Sequence, residues 1–420
     1  MLRSFSVANY LCFGPPVTLD LCASRDSVST DELPRVVLIA GPAAAGKSAL
    51  LRALGLLRNL TLAGPRAPLP VAAHRFSPPG PTQLAIEVQI ESTIWTYKLS
   101  LTTQQILEET LQVRSAVPGR PVETRVLFTR RPGDPGRPPI VEPGDLPASD
   151  ANRLRLLSQS TRAEQPLVQE GLRRGLPLFV PFGMWLRDRL QLLLPEAKCV
   201  GLAARAARDP AFSDFLGDYL SVADLGISRL SVQREPVPSS YFQSSEEREE
   251  VTAELTRFPD SFAETPEGEL IAQPASDGPF VDIERVRLVQ TITGPDGAQA
   301  ELAIDELPET ARRLLHLAPL FYCEGNQGPP PPCAVIDDVG HSLHPRRLES
   351  LLQRFALDAD LPSGRQLIGL LQDGARNDPA SDCEQARGVL TSLREQTSQG
   401  VAQLWALRRT SAGSQLTVVI

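Results

Sequence analysis

None of the six cysteines in this 420-residue chain falls in a CxxC pair. Scattered at Cys12, Cys22, Cys199, Cys323, Cys333 and Cys383, they lack metal-cluster spacing and read as reduced, mostly buried thiols. Long apolar runs are missing too. No window reaches the roughly 18 apolar residues of a membrane span. The opening "MLRSFSVANYLCFGPPVTLDL" alternates apolar and polar residues where a signal peptide would be continuously apolar. A soluble, cytoplasmic protein without a membrane partner is expected. Basic excess is also absent, with 42 Lys and Arg against 50 Asp and Glu and a formal charge of −8. A whole-surface nucleic-acid binder would be basic, so any DNA contact must be local or supplied by a partner. No internal repeat is visible.

What is present suits a folded α/β protein. Hydrophobic residues make up 42% and charged residues 22%, enough for a sizeable core in two or three domains, or in one large α/β domain with an insertion. Leu2–Val7 and Val17–Leu21 read as a strand pair, and "RVVLIA" as a buried strand. "TQLAIEVQIESTIWTYKLSLTTQQILEETLQV" alternates as three antiparallel strands. The proline-rich "RRPGDPGRPPIVEPGDLP" reads as a loop. From about Arg153 to Ser221 the pattern turns helical, including "GMWLRDRLQLLLPE". The acidic, turn-rich stretch Glu235–Pro279 reads as a linker or mobile insertion. Strands resume near Phe280, a helix follows from about Glu309, and buried strands are expected before Asp337 and over "RQLIGLLQD". After one more helix, a hairpin closes the chain.

One segment carries chemistry. "GPAAAGKS", Gly41 to Ser48, matches GxxxxGK(S/T) between a predicted strand and a predicted helix. Such a loop wraps phosphate with backbone N–H groups, and Gly41 and Gly46 permit the conformations and close approach this needs. The helix N-terminus adds partial positive charge and Lys47 a full one, while the Ser48 hydroxyl suits Mg²⁺. Gly41, Pro42, Ala43, Ala44, Ala45, Gly46, Lys47, Ser48 and Ala49 are the candidate nucleotide-binding residues.

A second segment supplies acid. In "CAVIDDVGHSLHP" a short apolar run ends in Asp337 and Asp338. Asp337 would hold Mg²⁺ with Ser48, and Asp338 would face an attacking water. ATP and Mg²⁺ are the cofactors these pieces imply.

The order and wording of the pieces resemble ABC-type ATPase heads related to RecF, SMC and OLD proteins. The chain is most similar to stand-alone, RloA-like bacterial ATPases of anti-phage systems. The resemblance is carried by "SFSVANYLCFG", "WTYKLSLTTQQILEETLQV", "ADLGISRLSV", "ARRLLHLAPLFY", "VIDDVGHSLHP" and "QLWALRRTSAGSQL". It implies an α/β P-loop NTPase head with an antiparallel β lobe and a helical insertion. Lobe I with the P-loop would span 1–150, a helical insertion with a mobile acidic linker 151–280, and lobe II 281–420. It implies a homodimer or higher homo-oligomer with nucleotide between subunits, and a separate nuclease-type effector. His344 in "SLHP" would orient the loop after the acid strand.

Departures from the family pattern bear on turnover. The signature stretch reads "LPETARRL", with Pro308 where the family has Ser and Thr310 where it has Gly. Asp338 stands for the usual Glu, and Gln372, where the family has His, becomes the second candidate catalytic residue with Asp338. Binding contacts survive while turnover suffers, since a shift of about 1 Å in a positioning group costs about a hundredfold in rate. Three readings follow: a slow ATPase acting as sensor or scaffold, a non-hydrolysing ATP-binding subunit, or a RecF-like DNA-repair head, the last weighed down by net acidity. Trp185 reads as a core anchor. Arg130–Arg131 and Arg205/Arg208 read as solvated basic spots.

Overall fold

The computed structural model describes residues 1–22, 33–64, 68–115, 123–134, 136–195, 200–221, 230–258, 260–274, 281–293, 298–322, 333–357, 364–372, 386–387, 390–391, 402–410 and 413–419. In chain order, β1 (Leu2–Ala8), β2 (Val17–Asp20) and β3 (Val36–Gly41) precede α1 (Lys47–Leu62). Then come β4 (Thr82–Ile90), β5 (Thr93–Leu101), β6 (Ile106–Ser115), β7 (Glu123–Arg131) and β8 (Ile140–Pro143). Helices α2 (Ala148–Ser160), α3 (Leu167–Arg173) and α4 (Val180–Met184) lead to β9 (Leu190–Leu193). Next are α5 (Leu202–Arg208), α6 (Pro210–Ser221), β10 (Leu230–Pro236) and α7 (Ser245–Thr256). β11 (Ala263–Thr265), β12 (Gly268–Pro274), β13 (Val281–Thr293), β14 (Gln299–Ala303) and α8 (Glu309–Leu317) follow. β15 (Cys333–Ile336), α9 (Pro345–Leu357), β16 (Gln366–Gln372), β17 (Ala402–Thr410) and β18 (Gly413–Val418) complete the set.

Two compact units emerge. The first holds 1–195, 325–340 and 344–420; the second holds 196–324 and 341–343. The boundaries expected at 150 and 280 differ from these divisions, which fall after Pro195 and after Glu324.

Two sheets make the first unit. One is antiparallel, in the order β2-β1-β4-β5-β6-β7-β8. The period-2 sequence of β4, β5 and β6 dictates it: alternate residues such as Leu84, Ile86, Tyr97, Leu99 and Leu111 are buried. The other sheet runs β18-β17-β3-β16-β15-β9, parallel from β17 to β9. Its strands β3 and β15 are buried at every position, as expected for parallel strands covered on both faces. Leu50, Leu51, Leu54 and Leu57 of α1 lie in the shared core, at the spacing read from the sequence. Gln366 joins the two sheets. Its amide accepts from Leu2 N at 2.8 Å and donates to Leu2 O at 3.2 Å and Pro34 O at 3.1 Å, so a fully buried side chain is satisfied like a strand segment.

Several sequence expectations change here. "GMWLRDRLQLLLPE" is not one helix: α4 passes through a π-helical turn, Trp185–Arg189, into β9, a parallel edge strand beside β15. The proline-rich stretch contains β8, paired with β7. Arg130 is not solvated but fully buried, 3.8 Å from Glu109, and donates to Arg162 O and Ala163 O. Glu109 in turn accepts from Tyr97 Oη and from Leu167 N and Val168 N, pinning the start of α3 to the β lobe. Burial still pushes the Glu109 carboxyl above its ordinary range.

The second unit pairs β10-β13-β12-β11, with β14 on β13, beside α5, α6, α7 and α8. The stretch read as linker carries α7, β11 and β12. Phe242, Leu255, Leu270 and Ile283 form its small core. Arg205 stacks over Phe212 and Tyr322, and Arg208 donates to Ser261 O, so neither is a freely solvated charge. No helix among the described residues is long and apolar enough to cross a membrane.

Candidate functional site

Three parallel strands of the first unit end side by side at their carboxyl ends. β3 runs into the glycine loop, β16 ends at Gln372, and β15 ends one residue before Asp337. Gln372 is the register partner of Gly41, and β16 separates β3 from β15. The topology therefore brings together segments about 290 residues apart in sequence, at the crevice where open α/β sheets bind ligands.

The loop has the backbone its sequence requires. Gly46 has φ +110° and Ala44 φ +63°, left-handed conformations of the kind that curl a loop into an anion-binding concavity. A side chain on Gly46 would meet Cys12 Sγ at 2.6 Å and Ser414 Oγ at 2.9 Å. Gly41 is glycine for a different reason: a Cβ there would run into Leu407 O of β17. Lys47 folds back to donate to Gly41 O at 2.8 Å and Pro42 O at 2.9 Å. Burial lowers its pKa, while Asp337 and Asp338 act to raise it. A partly desolvated ammonium resting on its own loop is suited to an anion.

A cleft of about 310 Å³ is lined by Ala43, Ala44, Gly46, Lys47, Ser48, Ala49, Pro195, Asp337, Asp338 and Gln372. Of the sequence candidates, Gly41, Pro42 and Ala45 do not line it. They shape the loop from behind, as Ala45 N donating to Pro42 O illustrates. Asp337 is buried, its N–H held by Leu193 O of β9 at 2.8 Å. Asp338 is half-buried with φ +46°, and Val339 N then donates to Leu370 O of β16. A hydroxyl and two carboxylates fit Mg²⁺, which keeps several ligands from phosphate and water and needs only one or two from protein. Among the described residues no group of three or more His, Cys, Asp or Glu could hold a metal ion unaided.

Sequence reasoning missed Pro195, Cys12 and Ser414. Pro195 reaches the cleft only because β9 is a strand. Cys12 and Ser414 touch the loop through turns whose placement no local pattern encodes. In the second unit, Pro308 caps α8, Thr310 Oγ1 donates to Ser342 O at 2.7 Å, and His341 Nε2 lies 2.9 Å from Glu309 Oε1. Hydrogen bonds from Ser342 and His341 hold the Glu309 carboxyl below its ordinary range. His344 Nδ1 accepts from Arg346 N at 3.3 Å at the start of α9.

A strand–glycine loop–helix unit in a parallel sheet, with an acid strand one strand removed, defines a P-loop nucleotide-binding protein. The family comparison agrees and is more specific. Residues 36–368 match the family described as "AAA domain, putative AbiEii toxin, Type IV TA system", and the chain belongs to that family of AAA ATPase domains. No curated protein matches the chain. Among solved structures, the SMC head domain from Thermotoga maritima is similar over 100% of this chain and 99% of that chain, at 11% identity and a TM-score of 0.41.

Proposed function

We propose that the chain binds Mg²⁺–ATP in the cleft, hydrolyses it slowly, and serves as a nucleotide-gated sensor or scaffold subunit. The observation that carries this is the convergence of Lys47, Ser48, Asp337, Asp338 and Gln372 on one cleft. Lys47 and the N–H groups of the cleft-lining residues Ala43, Ala44, Gly46, Lys47, Ser48 and Ala49 would hold phosphate oxygens. Ser48 and Asp337 would hold Mg²⁺, which neutralises phosphate charge when bound. Asp338 would orient water, and Gln372 would donate a hydrogen bond to the terminal phosphate without adding charge. A family description naming a toxin of a toxin–antitoxin system supports a defence setting, and the resemblance to ABC-type heads adds a separate nuclease-type effector and a homodimer or higher homo-oligomer to the reading.

Calorimetry with Mg²⁺–ATP and phosphate release at saturating ATP test the reading, with sedimentation reporting oligomeric state. Lys47→Ala is expected to abolish binding, and unchanged affinity in that variant would refute the assignment of the loop. A non-hydrolysing ATP-binding subunit is the second reading, favoured by the uncharged Gln372 beside the phosphate loop. Binding with background phosphate release would select it. Stimulation of hydrolysis by DNA at moderate salt would select a RecF-like repair role instead.

A further inference from the structure

We propose that Ser414 of β18 is a positioning residue for the phosphate loop. Its fully buried hydroxyl donates to Ala45 O at 2.7 Å, across 369 residues of sequence. In a planar trans peptide the C=O of one residue and the N–H of the next point in opposite directions. Fixing Ala45 O toward Ser414 therefore turns the Gly46 N–H away from β18, toward the concave side where Gly46 lines the cleft. Without that anchor, the Ala45–Gly46 peptide is free to flip, because Gly46 already sits at φ +110° and tolerates either hand.

Ser414 is itself held rigidly. Its N–H donates to Cys12 O at 2.9 Å. The preceding Gly413 has φ +124°, and a Cβ there would meet Gly14 N at 2.8 Å and Cys12 O at 2.9 Å. Cys12 Sγ and Ser414 Oγ both abut the face of Gly46 that a side chain would occupy. The turn after β1, the phosphate loop and the closing hairpin thus share one joint. The Ser414 hydroxyl touches the loop from outside the cleft, which Ser414 itself does not line.

This inference rests on the cleft being a phosphate site, and the experiment separates the two. Mg²⁺–ATP affinity and nucleotide-free thermal unfolding are measured on the full chain for the parent, Ser414→Ala, Ser414→Cys and Thr161→Val. Thr161 donates from a buried hydroxyl to Leu157 O at 2.8 Å, so its variant loses an equivalent bond remote from the loop. The expected result is parent affinity for Thr161→Val and about five- to tenfold weaker binding for Ser414→Ala, the equivalent of one hydrogen bond. Ser414→Cys, of similar volume with a weaker donor, should fall between. Ser414→Ala binding within twofold of the parent would overturn the role. So would an equal loss in Thr161→Val, or failure of both Ser414 variants to fold, since either marks the hydroxyl as structural only. A parent that does not bind Mg²⁺–ATP refutes the nucleotide site itself, and this role with it.

Discussion

At residue 338 the backbone turns through φ +46°, a conformation that costs an ordinary L-residue about 1–2 kcal/mol and that Asp and Asn tolerate through local hydrogen bonds. Sequence alone presents Asp338 as a glutamate one methylene short, and from that Asp338→Glu is expected to raise turnover. The backbone supplies another reason for aspartate. Asp338→Glu is therefore expected to lower the unfolding midpoint, by the equivalent of about 1 kcal/mol. Asp338→Asn should keep the parent's midpoint and lose phosphate release. Equal midpoints for the two variants would show that the turn does not select the residue. Identity at this position was legible and conformation was not, because φ is set by β16 capturing Val339 N once the sheet has formed. Arg130 makes the same point. An Arg-Arg pair near a proline-rich stretch looks solvated until β6 places Glu109 beside it.

Elements with a local signature were read correctly: the β3–loop–α1 unit, the alternating β4–β6 meander, the acid strand β15 and the closing hairpin. Elements defined by distant partners were not. β9 is four residues of "LQLL" with no alternation, and only its register with β15 makes it a strand. β11 is three residues of "AET" that pair only with β12, and β12 in turn pairs with β13, so both depend on an edge offered by another strand. Helix α8 lends itself to a test at this scale. Its His316 falls from an ordinary pKa of 6.5 to about 4, first because burial strips its water and then because Arg313 and Arg312 repel a further charge. The folded state thus binds this proton less tightly than the unfolded chain. Its share of stability is fully present above about 6.5 and is lost as pH falls toward about 4. His316→Gln should lose less of its unfolding midpoint than the parent between pH values of about 7 and about 4.5. Parallel losses would show that His316 is not the acid-sensitive group of α8.

All the cleft residues belong to the first unit. A ligand at a hundred times its dissociation constant stabilises the structure that binds it by about 2.7 kcal/mol. Mg²⁺–ATP should therefore slow hydrogen exchange in β3, α1, β15 and β16 and leave β11–β13 unchanged. Equal protection of both units would contradict a site confined to the first. The sequence located the phosphate and acid segments at this scale because each carries its chemistry in contiguous residues. The chain leaves the first unit after Pro195 and re-enters it at Gly325, where the Gly/Pro-rich run "GNQGPPPP" begins, so the second crossing is marked in the sequence and the first is not.

Gly41 bears on the choice of a negative control. As the first residue of the loop motif, it invites use as a nucleotide-blind allele. Its missing side chain makes room for the carbonyl of Leu407, on the neighbouring strand β17. A Gly41→Ala phenotype would report a misfitted sheet, and a cell carrying it would resemble one lacking the protein altogether. Lys47 is the cleaner handle, because its ammonium group can be removed while the sheet behind it stays intact.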